Sequence, residues 1–234
     1  MKGRLYGIGV GPGDPELMTI KAKKTIEASD IVIVPGEKVE DSIAYRIAKG
    51  ACENLDEMNL VALEMPMIKD KARLNEMHDR AARKIEKYLD EGKAVSFLTL
   101  GDVTVYSTYM YIHKRVVRDG YDAAIINGIT SFTAASARLN TDLVEREEPL
   151  HVIPATFKVA GMAELLSLPG TKVLMKSGKE IGKVRDAIIA GGQKAMMVEN
   201  CGMENEKIYL DAKDIPDSAS YYSLIIIKEA QEEA

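Results

Sequence analysis

The sequence has 234 residues, of which 46% are hydrophobic and 29% are charged, and its formal net charge at pH 7 is −5. This composition excludes extended disorder and fits a globular chain with two domains. The negative charge argues against a nucleic-acid partner, and no apolar run approaches the roughly 18–20 residues of a membrane-spanning helix.

Cysteine and histidine usage narrows the possible chemistry. Cys52 and Cys201 lie far apart in unrelated contexts, which excludes a disulfide framework and a CxxC metal site. The three histidines are not at metal-ligand spacing, so we expect no metal. The first residues, Met1 to Arg4, contain no apolar core of a signal peptide, and a cytoplasmic location is therefore expected.

In the first part of the chain, apolar segments rich in β-branched residues alternate with stretches of helical period. The predicted strands are Leu5–Val10, Ile31–Val34, Leu60–Leu63, Ala94–Leu100 and Ala123–Ile126. The predicted helices are Ile20–Ala28 with Thr19 as N-cap, a helix capped by Asp41 or Ser42 that ends at Lys49, Asp70–Glu91, a helix that ends near Arg118, and one that begins near Ser131. This alternation predicts an α/β domain with a mostly parallel sheet and helices on both faces.

The charged, non-periodic segment Leu143–Pro149 is the predicted linker, which divides the chain into an N-terminal domain at 1–144 and a C-terminal domain at 145–234. Strands are more frequent after the linker: His151–Pro154, Val173–Met175, Ala195–Glu199, Lys207–Leu210 and Tyr221–Lys228. Helical patterns are fewer, at Gly161–Leu166 and Glu180–Ile189. The second domain is therefore predicted to be α+β, with a mixed sheet.

A glycine-rich segment, GIGVGPGDP at Gly7–Pro15, follows the first predicted strand. It does not match the G-x-G-x-x-G pattern of dinucleotide-binding folds, because the sixth position is Pro12 or Asp14, depending on the starting glycine. Its two prolines also remove backbone donors that a pyrophosphate would need. NAD and FAD are therefore disfavoured. The glycines allow either a tightly packed turn or a wall without side chains beside a bulky ligand.

Two further segments follow predicted strands at the edge where ligands bind to parallel sheets. In TLGDVTVYS at Thr99–Ser107, Asp102 offers a carboxylate to a ligand or caps the helix that follows. In GITSFTAASA at Gly128–Ala137, Thr130 or Ser131 either caps the next helix or contacts a ligand. The residues alone leave both alternatives open.

Together these segments resemble the tetrapyrrole methylase family of S-adenosylmethionine (SAM) methyltransferases. The similarity extends over nearly the whole chain, and the matching motifs are GxGPGDP, IVPG at 33–36, GDxxxYS, GITSF, VLMK at 173–176, ENCG at 199–202 and YYSLII at 221–226. Within the family, the chain is most similar to the branch that methylates C-20 of precorrin-2 or cobalt-precorrin-2 in cobalamin biosynthesis. Val103 departs from the pattern, because many relatives have proline there.

The resemblance implies a two-domain homodimer that binds SAM in a cleft between the domains, in a fold that is not a Rossmann fold. The SAM contacts that it implies are Val10, Pro12, Gly101, Asp102, Val105, Tyr106, Thr130, Ser131 and Met175. Two alternatives remain: a family member that acts on a protein or RNA target, and a non-catalytic tetrapyrrole-binding protein.

The tetrapyrrole substrate would carry several carboxylates, which a chain of charge −5 must bind locally. Arg46 and Lys176 are the main candidates for these contacts, and Lys49, Lys158 and Lys179 are others, although such residues are usually solvated surface charges. Tyr222 is the candidate catalytic residue, with a hydroxyl placed near the methylated carbon. Strand alternation would send Tyr221 and Tyr222 to opposite faces, so a purely packing role is the alternative.

Overall fold

The computed structural model describes residues 2–65, 68, 70–154, 161–176 and 180–229. Contacts between Cα atoms divide the chain into two compact units. The first unit is Met1–Thr130 and the second unit is Ser131–Ala234.

The first unit is built on a five-stranded sheet with strand order β3-β2-β4-β1-β5, in which every pair of neighbours is parallel. The strands are β1 (Arg4–Gly9), β2 (Ile31–Pro35), β3 (Leu60–Leu63), β4 (Ala94–Thr99) and β5 (Asp122–Ile126). The helices are α1 (Ile20–Glu27), α2 (Ile43–Ala51), α3 (Lys71–Asp90) and α4 (Tyr109–Arg118). The predicted alternation of strands and helices is confirmed. Two short 3-10 helices, Pro15–Leu17 and Leu55–Glu57, were not predicted.

Alternate residues of strand β1, which lies between β4 and β5, bury their side chains on opposite faces of this sheet. Leu5 lies in a core cluster with Ile85 of α3 and Ile112 of α4. Ile8 lies in a second cluster with Ile26 of α1 and Ile47 of α2. Helices therefore cover both faces, as the sequence predicts.

Side-chain caps fix where three of these helices begin. Thr19 accepts a hydrogen bond from the Ala22 N–H, and Ser42 accepts one from the Tyr45 N–H. Asp70 accepts bonds from two backbone N–H groups of the first turn of α3. Such caps satisfy donors that the helix itself leaves free, and each contributes about 1 kcal/mol. The predicted cap Thr19 is confirmed, and of the two candidates for α2 the structure uses Ser42.

The second unit contains a mixed sheet with strand order β6-β7-β10-β8-β9. Only β6 and β7 are parallel among the paired strands described. The strands are β6 (Leu150–Pro154), β7 (Thr171–Met175), β8 (Lys194–Glu199), β9 (Lys207–Tyr209) and β10 (Ser223–Lys228). The helices are α5 (Ser131–Arg138), α6 (Met162–Leu166) and α7 (Ile181–Ala190). The predicted mixed α+β organisation is confirmed.

The contacts divide the chain after Thr130, earlier than the predicted boundary at residue 144. The reason is the packing of α5, because Ala134 and Ala135 lie in one core cluster with Leu224 and Ile226 of β10. The predicted linker belongs to the second unit, where the Lys228 ammonium donates to the Leu143 carbonyl at 2.8 Å.

Strand β10 begins at Ser223, two residues later than predicted. A turn precedes it, in which the Ser220 carbonyl accepts from the Ser223 N–H at 3.1 Å and the Ser220 hydroxyl accepts from the Tyr222 N–H at 3.1 Å. Tyr221 and Tyr222 lie in this turn, so strand alternation does not direct their side chains.

None of the helices in the described ranges has the length and apolar character needed to cross a membrane.

Candidate functional site

Three loops of the first unit meet at the carboxyl edge of its sheet, because they follow the neighbouring strands β4, β1 and β5. Gly11 in the loop after β1 and Gly101 in the loop after β4 exchange two backbone hydrogen bonds, of 3.2 and 2.8 Å. The Val10 N–H also donates to the Thr99 carbonyl at 3.0 Å. These bonds hold the loops after β1 and β4 together without any side chain.

Three glycines, one at the end of β1 and one in each of the loops after β4 and β5, pack backbone against backbone. We call Gly9, Gly101 and Gly128 the glycine junction. A Cβ atom on Gly128 would lie 2.2 Å from the Gly101 carbonyl oxygen, and one on Gly9 would lie 2.6 Å from the same oxygen. Gly9 and Gly128 are therefore glycines because the loops approach closely, which favours the tight-packing interpretation of the first motif at Gly9.

Gly101 differs from its two neighbours in the junction. Its φ is +73°, in the left-handed region that favours glycine, and a Cβ atom there would meet only the Ile129 carbonyl oxygen, at 4.0 Å. The backbone conformation thus explains the glycine, and the space beside its Cα is open within the first unit. A ligand group could occupy this space.

The Asp102 side chain is only 6% exposed, and its carboxylate ties two loops together. Oδ1 accepts from the backbone N–H of Thr104 at 2.8 Å and from the Thr104 hydroxyl. Oδ2 accepts from the Gly128 N–H at 2.9 Å and from the Asn127 side-chain amide at 3.3 Å. Helix α4 begins later, at Tyr109, so Asp102 does not cap it. Its carboxylate joins the loop after β4 to the loop after β5.

The environment of Asp102 favours the ionised form. Burial alone would raise the pKa of this carboxyl, but the hydrogen bonds from Thr104, Gly128 and Asn127 outweigh burial and lower the pKa. A carboxylate with a lowered pKa stabilises the folded state above the pKa of the unfolded chain, about 3.9 for Asp, and loses that contribution as the pH falls through the folded value.

We expect Asp102→Asn to lower the free energy of unfolding at pH 7 by about 1–3 kcal/mol, because backbone donors lose a carboxylate partner. The difference from wild type should shrink as the pH falls below about 4, because the unfolded chain takes up a proton at Asp102 there, whereas the folded carboxyl, with its lowered pKa, takes it up only at lower pH. Urea unfolding at pH 3, 5 and 7 measures this difference in the free energy of unfolding. Asp41→Asn, the same change at an exposed aspartate, is the control. A difference that is the same at all three pH values would contradict this account.

The other predicted cofactor residues of the first unit differ in what they expose. Val10 and Pro12 are buried, and Val10 belongs to the core, so only their backbone groups are available to a ligand. Val105 and Thr130 are half-buried. Tyr106 is 47% exposed and has a φ of +49°, a strained backbone conformation for a tyrosine. Recognition through these loops would therefore rely largely on backbone groups.

In the second unit, the end of β7 lies close to the turn before β10. Met175 pairs in register with Leu224 and packs partly buried against a core cluster. Lys176 follows with a φ of +62°, and its ammonium lies 5.7 Å from the centre of the Tyr221 ring. Tyr221 and Tyr222 contact each other edge to face, with ring centres 5.3 Å apart. Ser131 begins α5. Met175, Lys176 and the two tyrosines thus form one group.

The basic side chains suggested as substrate contacts are in different situations. Arg46 is exposed on α2. Lys49, on the same helix, forms an ion pair of 2.7 Å with Asp56 and donates to the Tyr45 hydroxyl at 3.5 Å. Its charge is therefore already balanced. Lys158 and Lys179 lie outside the described residues.

Sequence reasoning missed Asn127, which donates to Asp102, and Thr104, which donates to it twice. A buried carboxylate requires hydrogen-bond donors, and this requirement was the signal that could have led to these two residues. Thr104 lies two residues after Asp102, at the spacing of an Asx turn, whereas Asn127 lies on another loop and no spacing marks it as a partner.

The comparisons with known proteins agree with this architecture. The model of the Tetrapyrrole (Corrin/Porphyrin) Methylases matches residues 4–215, and the chain belongs to this family. It is 36% identical to the probable cobalt-precorrin-2 C(20)-methyltransferase of Methanocaldococcus jannaschii, over 96% of both chains. It is 29% identical to the precorrin-2 C(20)-methyltransferase of a Sinorhizobium species, over 96% of this chain and 95% of the relative.

A solved structure shares the fold. It is the uroporphyrin-III C-methyltransferase from Thermus thermophilus complexed with S-adenosyl homocysteine, with a TM-score of 0.66 and 18% identity over 97% of each chain. The resemblance seen in the sequence motifs and the predicted fold class are thereby confirmed.

Proposed function

We propose that the protein is a SAM-dependent methyltransferase that methylates C-20 of precorrin-2 or cobalt-precorrin-2 in cobalamin biosynthesis. The observation that carries this proposal is the similarity over nearly the full length to relatives named as C(20)-methyltransferases. The geometry supports it, because three loops at one sheet edge leave open space beside Gly101.

In this proposal, SAM contacts Val10, Pro12, Gly101, Asp102, Val105, Tyr106 and Thr130 of the first unit, and Ser131 and Met175 of the second. The cofactor supplies an activated methyl group and its leaving group, so the protein mainly orients the reactants and excludes water. The first-unit loops suit this task, since their backbone is fixed by hydrogen bonds before any ligand arrives. The position of the cofactor relative to the two units stays a prediction.

We further propose that Arg46 and Lys176 bind carboxylates of the tetrapyrrole. Lys176 is the better supported of the two, because the Tyr221 ring lies beside its ammonium. A lysine held near an aromatic face loses some side-chain freedom before the substrate binds, so less is lost on binding.

Tyr222 is the proposed catalytic residue, and the adjacent Tyr221 provides a matched control, since the two side chains are 39% and 40% exposed. We expect Tyr222→Phe to slow single-turnover methylation by roughly 10- to 100-fold, less than the ~10²–10⁴ of strong general bases, because a phenol is a weak base at neutral pH. Tyr221→Phe should keep the rate, since the ring beside Lys176 remains. If both variants methylate at the wild-type rate, neither hydroxyl takes part in catalysis and the two tyrosines only pack.

We also propose a homodimer in the cytoplasm. Light scattering at micromolar protein concentration tests the oligomeric state, and a mass corresponding to one chain would refute the dimer.

The deciding experiment incubates the purified protein with methyl-labelled SAM and either precorrin-2 or cobalt-precorrin-2. We expect label at C-20 in at least one tetrapyrrole, located by carbon-13 NMR, and the comparison of the two substrates shows whether cobalt is required. Tight tetrapyrrole binding without transfer would support a non-catalytic binding protein. Transfer only to a protein or RNA would support a different member of the superfamily.

A further inference from the structure

Asn127 connects three segments of the first unit through hydrogen bonds. Its side-chain amide donates to Asp102 Oδ2 at 3.3 Å, beside the bond of 2.9 Å from the Gly128 N–H to the same oxygen. Its backbone carbonyl accepts from the Thr19 hydroxyl at 3.4 Å. The same Thr19 oxygen accepts from the Ala22 N–H at 3.1 Å and so caps α1. A chain of hydrogen bonds therefore runs from the start of α1 through Asn127 to Asp102.

We propose that Asn127 is a positioning residue for SAM binding. With Thr19 it fixes the Asp102 carboxylate, and through this carboxylate it fixes the backbone of the loop that begins at Gly101. The inference rests on the proposed function, because it takes this loop as part of the cofactor site. It assigns the Asp102 side chain a role inside the protein and leaves ligand recognition to the backbone around it.

The surroundings of Asn127 indicate that this residue positions the loop and is not part of the hydrophobic core. Asn127 is exposed and belongs to none of the apolar clusters, whereas Asp102 is buried. Asp102 would keep its bonds to Thr104 and to the Gly128 N–H if the Asn127 amide were removed. A change at Asn127 should therefore shift the loop while the unit stays folded.

Asn127→Asp is the informative variant, because it places a second carboxylate against Asp102. Among the described residues, the groups in contact with the Asp102 carboxylate are Thr104, Asn127 and Gly128, and none of them titrates between pH 5 and pH 8. Two adjacent carboxylates raise the pKa of one member, so that at lower pH a shared proton restores a hydrogen bond between them. The SAM affinity of the variant relative to wild type should thus depend on pH.

The test measures SAM affinity by calorimetry at pH 8 and pH 5.5. Relative to wild type at the same pH, we expect Asn127→Asp to weaken binding by about 10- to 30-fold at pH 8 and by about 3-fold or less at pH 5.5. Asn127→Ala should weaken it by about 5-fold at both pH values, about 1 kcal/mol, since one of the four hydrogen bonds to the Asp102 carboxylate is lost and the other three remain. The matched control is Asn59→Asp, the same charge change at an exposed residue just before β3, at the opposite edge of the sheet.

Hydrogen exchange on the protein without cofactor provides a second readout. The Thr104 and Gly128 amides should exchange faster in Asn127→Asp than in Asn59→Asp at pH 8, while circular dichroism stays unchanged. If both affinity and exchange match the control at both pH values, the inference is wrong. If wild type does not bind SAM, the proposed function fails, and the role of Asn127 in SAM binding fails with it. Hydrogen exchange alone then decides whether Asn127 holds the loop that contains Asp102.

Discussion

Gly128→Ala should lower the free energy of unfolding by about 3 kcal/mol, at the upper end of the usual range for overpacking, and it should remove measurable SAM binding. The new methyl carbon would lie 2.2 Å from the Gly101 carbonyl oxygen and 2.7 Å from the Gly9 carbonyl carbon. Both are backbone atoms, one in the loop after β4 and one in the last residue of β1, so no flexible side chain can move aside. The loops themselves would have to separate.

Gly120→Ala is the control for this substitution. Gly120 has a φ of +84° and nothing within 4 Å of a Cβ atom, so alanine there meets backbone strain without crowding, which costs about 1–2 kcal/mol. Gly128 has no such positive φ. Urea unfolding of both variants therefore separates the two causes. If Gly128→Ala lowers the free energy of unfolding no more than Gly120→Ala does, the glycine junction can accommodate a methyl group.

Gly101→Asn should weaken SAM binding by about 100-fold, equivalent to about 2.7 kcal/mol, and leave the protein folded. Asparagine tolerates the left-handed conformation better than other residues with side chains, and the space beside Gly101 is open in the first unit. The added side chain would occupy the volume that we assign to the cofactor.

Gly120→Asn repeats the Gly101 change at another left-handed glycine of the same unit, near the end of α4. It should leave SAM affinity at the wild-type value when both are measured by calorimetry. Wild-type affinity in a folded Gly101→Asn variant would remove the loop after β4 from the cofactor site, and the assignment of Gly101 and Asp102 with it.

The strands and helices were predictable because their residues carry strong local signals. Ile31–Val34 is a continuous apolar run, as suits a strand buried on both faces, and its four residues are at most 3% exposed. Thr19 stands directly before a helical period and caps the helix there. The motifs also identified the family, whose model matches residues 4–215.

Other features depend on contacts between distant segments, which no local pattern contains. The unit boundary at Thr130 follows from the packing of α5 on β10, although in the sequence α5 continues the alternation of the first unit. The role of Asp102 depends on donors from another loop. The start of β10 depends on the turn at Ser220, because Tyr221 and Tyr222 have strand propensity and extend the apparent strand.

The place of β10 in its sheet has a consequence for biosynthesis on the ribosome. All five strands of the first unit lie before residue 127, so this unit can fold while later residues are still being translated. The second sheet is different, because β10 is its middle strand and the last of its strands to be made. Until residue 228 has emerged, β7 and β8 each present an unpaired edge, where nascent chains on neighbouring ribosomes can associate.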